Sequence, residues 1–195
     1  PGDPGPPGGD VAAVSHALPP LPAQSAFGLS HAPLASESVA AAALLTVKPA
    51  TLSFERACTL PVTWSTTHAA VERARLRAGR SIVVHAAAGG VGLKAVEYAQ
   101  WLTAGRVLGT AGRPHKHASS CEAGVDALCS LSDGAAFAAG AMRLLGAFRA
   151  DEVLSSLSLD FIAGSLAALS EDGAFDEMGK RGIWESDGGL AAAQA

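Results

Sequence analysis

Charge is scarce in this chain. Only 16% of its 195 residues are Asp, Glu, Lys or Arg, and the formal net charge is −4. Acidic and basic residues are scattered, with no Lys/Arg run, which argues against a nucleic-acid partner. Long apolar runs are also missing. Stretches such as Val39 to Val47 are Ala-rich and far too short to span a bilayer. The N-terminus has neither the basic start nor the continuous apolar core of a secretory signal. The expectation is a cytoplasmic protein with no membrane partner; a chain beginning at Pro1 leaves room for a targeting segment upstream. Cysteine is sparse as well. Cys58, Cys121 and Cys129 form no Cys-x-x-Cys pair, and none stands beside a His at ligand spacing, so reduced thiols are expected and no metal site.

What is abundant is small and apolar. Hydrophobic residues make up 49%, enough for a buried core. Residues 1–24 are Pro/Gly-rich (PGDPGPPGGD, then LPPLP) and read as a linker or disordered end, since they bury too little to offset ordering entropy. From Phe27, short apolar runs broken by Pro33 and Pro49 suggest strands and loops. Helices are expected over 54–60 and 62–76, separated by Pro61.

The stretch after Gly79 is the most legible. Ser81-Ile82-Val83-Val84-His85 suits a buried parallel strand, Ala86 to Gly92 a small-residue turn, Leu93 to Leu102 a helix, and Arg106 to Thr110 a second strand. Further strands fit 127–131, 152–155 and 173–178, and helices 135–148 and 161–169. This alternation implies an α/β fold, a Rossmann-like doubly wound parallel sheet.

Read from Ala87, the turn is A-x-G-x-x-G, the dinucleotide fingerprint with alanine at its first glycine. Ala88, Gly89, Gly90 and Val91 would bring backbone amides to a pyrophosphate at a helix N-terminus. Gly92 would let the helix pack closely on the sheet. The alternative is a glycine turn present for steric reasons alone. Cofactor choice is read after the second strand, where NAD sites place a carboxylate. This chain has Thr110-Ala111-Gly112-Arg113-Pro114-His115-Lys116 instead. Arg113 and Lys116 would neutralise a 2′-phosphate, which favours NADPH; the alternative is a solvated basic loop.

The runs LPVTWSTTHAA and VVHAAAGGVGLKAVEYAQ resemble the medium-chain dehydrogenase/reductase superfamily. VLSSLSLDFIAGSLAAL and GAFDEMGKRGIWES are similar to the enoyl reductase domains of polyketide synthases, zinc-free and quinone-oxidoreductase-like. The resemblance covers most of Phe27 to Ser186. It implies a remnant of an N-terminal GroES-like substrate domain over 25–60, an NADPH-binding Rossmann domain over 61–186, and a flexible tail over 187–195. It implies hydride delivery from NADPH to an enoyl thioester on an acyl carrier protein, with other synthase domains as partners and a possible homodimer. Lys180 matches the lysine proposed as proton donor or enolate stabiliser. Thr66 matches a threonine on the nicotinamide side, its alternative being a helix hydroxyl bonded to its own backbone. Ser156, Leu157 and Gly179 match cofactor-binding backbone.

Three positions depart from the family pattern. Ser155 replaces an Asn, Asp176 occupies a strand position normally apolar, and His68 stands where an aromatic residue is common. His68 is expected to be a packed or solvent-facing histidine rather than a proton donor. The family's second proposed catalytic residue, an aspartate, lies beyond Ala195, so the expectation is cofactor binding with turnover impaired in this chain alone. A quinone oxidoreductase and a non-catalytic NADPH-binding remnant are the alternatives.

Overall fold

The computed structural model describes residues 8–16, 23–31, 33–102, 105–129, 133–146, 148–157 and 160–178. The chain divides into two units, Pro1–Thr66 and Thr67–Ala195.

In the first unit, strands β1 (Asp10–Ser15), β2 (Gln24–Leu29) and β3 (Leu45–Val47) form an antiparallel sheet in that order. Strand β1 corrects the expectation of a linker through residue 24. Its backbone pairs along β2 from Asp10↔Leu29 to Ser15↔Gln24, and the ladder offsets an ordering cost that composition alone leaves unmet. The Asp10 carboxylate also accepts the Val62 N–H at 2.6 Å, next to the start of helix α2 (Pro61–Ala74). The short helix α1 (Phe54–Ala57) is capped by Ser53, whose hydroxyl accepts the Arg56 N–H.

The second unit carries one parallel sheet. Strands β4 (Ser81–Val84), β5 (Arg106–Thr110), β6 (Ala127–Cys129), β7 (Ala150–Ser155) and β8 (Leu169–Glu177) lie in the order β6-β5-β4-β7-β8. The helices are α3 (Gly90–Trp101), α4 (Pro114–Glu122), α5 (Gly134–Leu145) and α6 (Asp160–Ala168). Strand order reverses between β4 and β7, which makes their C-terminal ends a topological switch point.

Alternating residues of β4 serve two cores. Ile82 and Val84 join Val71, Val96 and Leu154 on one face, while Val83 joins Phe137, Val153 and Phe161 on the other. The expected βαβ unit is present, and α3 begins earlier than expected because its first turn is built from the glycines themselves. Helix α4 adds an element to the expected alternation: Pro114 occupies its first turn, where a missing N–H costs nothing. No described helix is long and apolar enough to cross a membrane.

Helix α5 starts at Asp133, whose carboxylate accepts the Ala136 N–H at 2.7 Å. Asp133→Ala is expected to cost about 1 kcal/mol of stability, read by urea unfolding.

Candidate functional site

The site begins where β4 ends. Ala86 takes a left-handed conformation, φ 50°, which costs an L-residue about 1–2 kcal/mol. Three hydrogen bonds fix it there. The Ala86 N–H donates to Thr110 Oγ1 (2.9 Å), the Ala87 N–H to the Thr110 carbonyl (2.9 Å), and the Gly89 N–H to the Ala86 carbonyl (2.7 Å). Thr110 is fully buried, so its side chain shapes the turn from beneath.

Helix α3 then starts at Gly90, with Gly89 as an N-cap that offers no side chain. Leu93 donates back to the Gly89 carbonyl at 2.8 Å, which leaves the amides of Gly90, Val91 and Gly92 ahead of the intrahelical ladder. Gly90 is exposed, and Ala88, Gly89 and Val91 are partly so. The turn thus presents amides and the positive end of a helix to solvent, a geometry suited to an anion. Gly92 faces inward. A Cβ there would lie 2.4 Å from the Ala86 carbonyl oxygen and 2.8 Å from Ala87 Cα.

Beyond β5, Arg113 caps α4 and Lys116 sits in its first turn, both exposed. The Arg113 carbonyl accepts from the Lys116 and His117 amides, so these bonds hold the backbone and leave the charged heads outward. Ser156 follows β7 at the switch point, exposed, its hydroxyl 3.4 Å from the His85 carbonyl, while Leu157 packs against the core cluster containing Phe161. The Met178 N–H reaches the Ser155 carbonyl at 2.8 Å, which brings the end of β8 to the same edge. Gly179 and Lys180 lie outside the described residues.

The second unit therefore gathers Ala88, Gly89, Gly90, Val91, Gly92, Thr110, Arg113, Lys116, Ser156 and Leu157 on strand ends, loops and helix starts at one end of its sheet. Thr66 belongs to the first unit, and its hydroxyl bonds the Val62 carbonyl at 2.7 Å. Its neighbour Thr67 is fully buried, with its hydroxyl 3.5 Å from the Val91 carbonyl. His68 pairs its Nδ1 with the Tyr98 hydroxyl at 3.0 Å on an exposed surface.

Sequence reasoning passed over His85, whose side chain is buried beneath the turn between Phe137 (4.8 Å) and Phe161 (6.0 Å). Ser165 donates its hydrogen to the Phe161 carbonyl at 2.6 Å, so His85 Nε2–H donates to Ser165 Oγ at 3.0 Å. Nδ1 is left buried with no hydrogen-bond partner. Burial lowers the imidazole pKa to about 4. Cys129 is similarly inert, its buried thiol pushed up to about 11. Among the described residues, no group of three or more His, Cys, Asp or Glu is placed to hold a metal ion. In the first unit, a pocket of about 530 Å³ has Phe27, Leu44, Leu60 and Trp64 among its walls and no titratable side chain. It offers packing rather than acid–base chemistry.

No protein-family model matches the chain. It is 38% identical over 184 residues to the spectinabilin polyketide synthase system protein NorB of Streptomyces orinoci, covering 90% of this chain and 8% of that protein. It is 38% identical over 161 residues to the erythronolide synthase EryA2 of Saccharopolyspora erythraea, covering 82% of this chain and 4% of that one. Among solved structures, the CurK enoyl reductase superposes with a TM-score of 0.84 at 30% identity, over 95% of this chain and 57% of that one. Mycobacterial Rv1454c complexed with NADPH gives 0.83 at 23% identity, over 96% and 62%, a likeness of fold.

Two changes test this architecture. Gly92→Ala forces α3 away from the turn and is expected to cost about 1–3 kcal/mol, seen as a lowered melting temperature. His85 is uncharged in the fold until about pH 4, whereas the unfolded chain protonates it below 6.5. Its contribution is complete above pH 6.5 and lost as pH falls from there to about 4. The stability advantage of the native chain over His85→Gln should therefore shrink by about 3 kcal/mol between pH 7 and pH 4, measured by urea unfolding.

Proposed function

Because the chain belongs to the enoyl reductases of polyketide synthases, in the medium-chain dehydrogenase/reductase superfamily, we propose that it binds NADPH and serves in enoyl thioester reduction. The observation that carries this reading is the glycine turn at the switch point, with two exposed cations and no carboxylate after the neighbouring strand.

The residues fit the cofactor physically. The amides at the exposed start of α3, Gly90 and Val91, suit the pyrophosphate, which approaches closely because Gly89 and Gly90 lack side chains. Arg113 and Lys116 suit a 2′-phosphate, the Arg by a forked pair of donors and the Lys by a point charge. Ser156, Leu157 and Gly179 belong to the segments assigned to the nicotinamide end, as does Thr66 on the resemblance. When bound, NADPH supplies the hydride that reduces the β-carbon of an α,β-unsaturated thioester. Lys180 is assigned to the proton or to the developing enolate charge.

The substrate is assigned as an enoyl thioester on an acyl carrier protein, with other synthase domains as neighbours and a homodimer as the assembly. The domain reading retained is a Rossmann domain over 61–186 following a GroES-like segment over 25–60. The sheet β1-β2-β3 supports a strand-built first unit, with β1 extending it toward the N-terminus. The curated relatives matched are many times longer than this chain.

Fluorescence titration of the 195-residue chain is expected to give tighter binding of NADPH than of NADH. Arg113→Ala/Lys116→Ala should weaken NADPH roughly tenfold or more while sparing NADH, since charge-assisted bonds contribute about 1.5–3 kcal/mol. A folded chain that binds neither nucleotide would overturn the proposal.

A further inference from the structure

One buried acid plays no part in the site described. Glu152 lies in the middle of β7, 1% exposed, and neither carboxyl oxygen has a hydrogen-bond partner. An ionised carboxylate so placed would be very costly. Residues two apart in a strand share a face, so Glu152 lies on the side of Leu154, in the core formed with Ile82, Val84 and Val96. Register sets Glu152 opposite Ala174 and Leu154 opposite Asp176, which makes Glu152 and Asp176 diagonal neighbours on one face of two adjacent strands.

The balance of charge around this pair is uneven. Asp176 is 7% exposed and is held by Arg73 from α2, through Nε at 3.1 Å and Nη2 at 2.6 Å, both onto Oδ1. Arg73 thus neutralises one acid of the two. On this face β4 contributes Ile82 and Val84 and α3 contributes Val96, all apolar; the charged group facing Glu152 is Asp176 from β8, which Arg73 from α2 reaches with a side chain that stays mostly exposed. Asp151, the neighbour of Glu152 in β7, accepts the Ser81 N–H and pairs with Arg80 at the start of β4.

We propose that Glu152 is a proton-operated latch on the β7–β8 pair: as a neutral acid it lets the strands pair around the single buried charge of Asp176, which Arg73 balances, and its ionisation adds a second buried negative charge that loosens them. Desolvation, reinforced by Asp176, raises its pKa to about 8. The unfolded chain loses this proton near 4.5 and the folded chain keeps it to about 8, so stability is lost as pH rises across that interval. His85 opposes this trend only below pH 6.5. The net fall therefore shows above 6.5. The latch also bears on the candidate site, because β7 leads into Ser156 and Leu157 and the Met178 amide is bonded to Ser155. That consequence rests on the NADPH reading; the latch itself does not.

The test is a pH series from 6.5 to 8.5 on the full chain, Glu152→Gln and Asp176→Asn, with melting temperature, the infrared C=O stretch of a protonated carboxyl, and NADPH affinity as readouts. The native chain should lose roughly 5 °C across the range. It should also show the infrared band at neutral pH and lose NADPH affinity in step with its melting temperature. Glu152→Gln should remove both the fall and the band. Asp176→Asn should move the fall to lower pH, since it removes the repelling charge and frees Arg73. A native chain whose melting temperature is constant, or a Glu152→Gln chain that keeps the fall or the band, overturns the latch. A chain that shows the fall and the band but binds no NADPH at any pH keeps the latch and overturns the proposed function instead.

Discussion

The contact on which the site's geometry turns is the one between Gly92 and the backbone of Ala86 and Ala87. There α3 lies so close to the end of β4 that a single carbon on Gly92 would meet a carbonyl oxygen at 2.4 Å. This approach fixes where the helix begins and which amides stay outside its ladder. It also forces the chain to leave β4 through a left-handed Ala86, which the buried Thr110 holds with its hydroxyl and carbonyl. The suitability of the turn for an anion follows from this packing, since the exposed amides are those the helix cannot reach.

Beneath the turn, the two faces of the sheet solve different polar problems. On the face of α5 and α6, His85 is kept neutral by burial between two phenylalanines, with Ser165 fixing which nitrogen carries the hydrogen. On the opposite face, Asp176 is buried because Arg73 reaches it. The departure from an apolar strand position that the sequence raised is thus met by an arginine 103 residues away in the chain. Cross-strand placement, not local pattern, decides whether such a residue is tolerable.

Much of the sheet and its glycine turn was readable in advance because periodicity and small-residue spacing are local properties. The β-branched run of β4 and the glycines at 89, 90 and 92 left few ways to fold. Misreadings came where a partner distant in sequence supplied the stabilisation. Strand β1 sits in a Pro/Gly-rich stretch that gains order from the β2 ladder and from the Asp10 bond to the Val62 amide. Helix α4 was hidden in a segment read for its charges, although Pro114 marks a helix start.

The same division holds for the site. Alone, the sequence determined a dinucleotide-type turn, the absence of a carboxylate after β5 and the presence of Arg113 and Lys116 there, because each depends on residue identity within a few positions. The tertiary structure decided that Thr110 is a buried support, that Thr66 bonds its own helix and that His68 pairs with Tyr98. It alone brought Glu152 beside Asp176. Those outcomes depend on which strands and helices become neighbours, and the free energy of a buried polar group is set by what lies across from it in space.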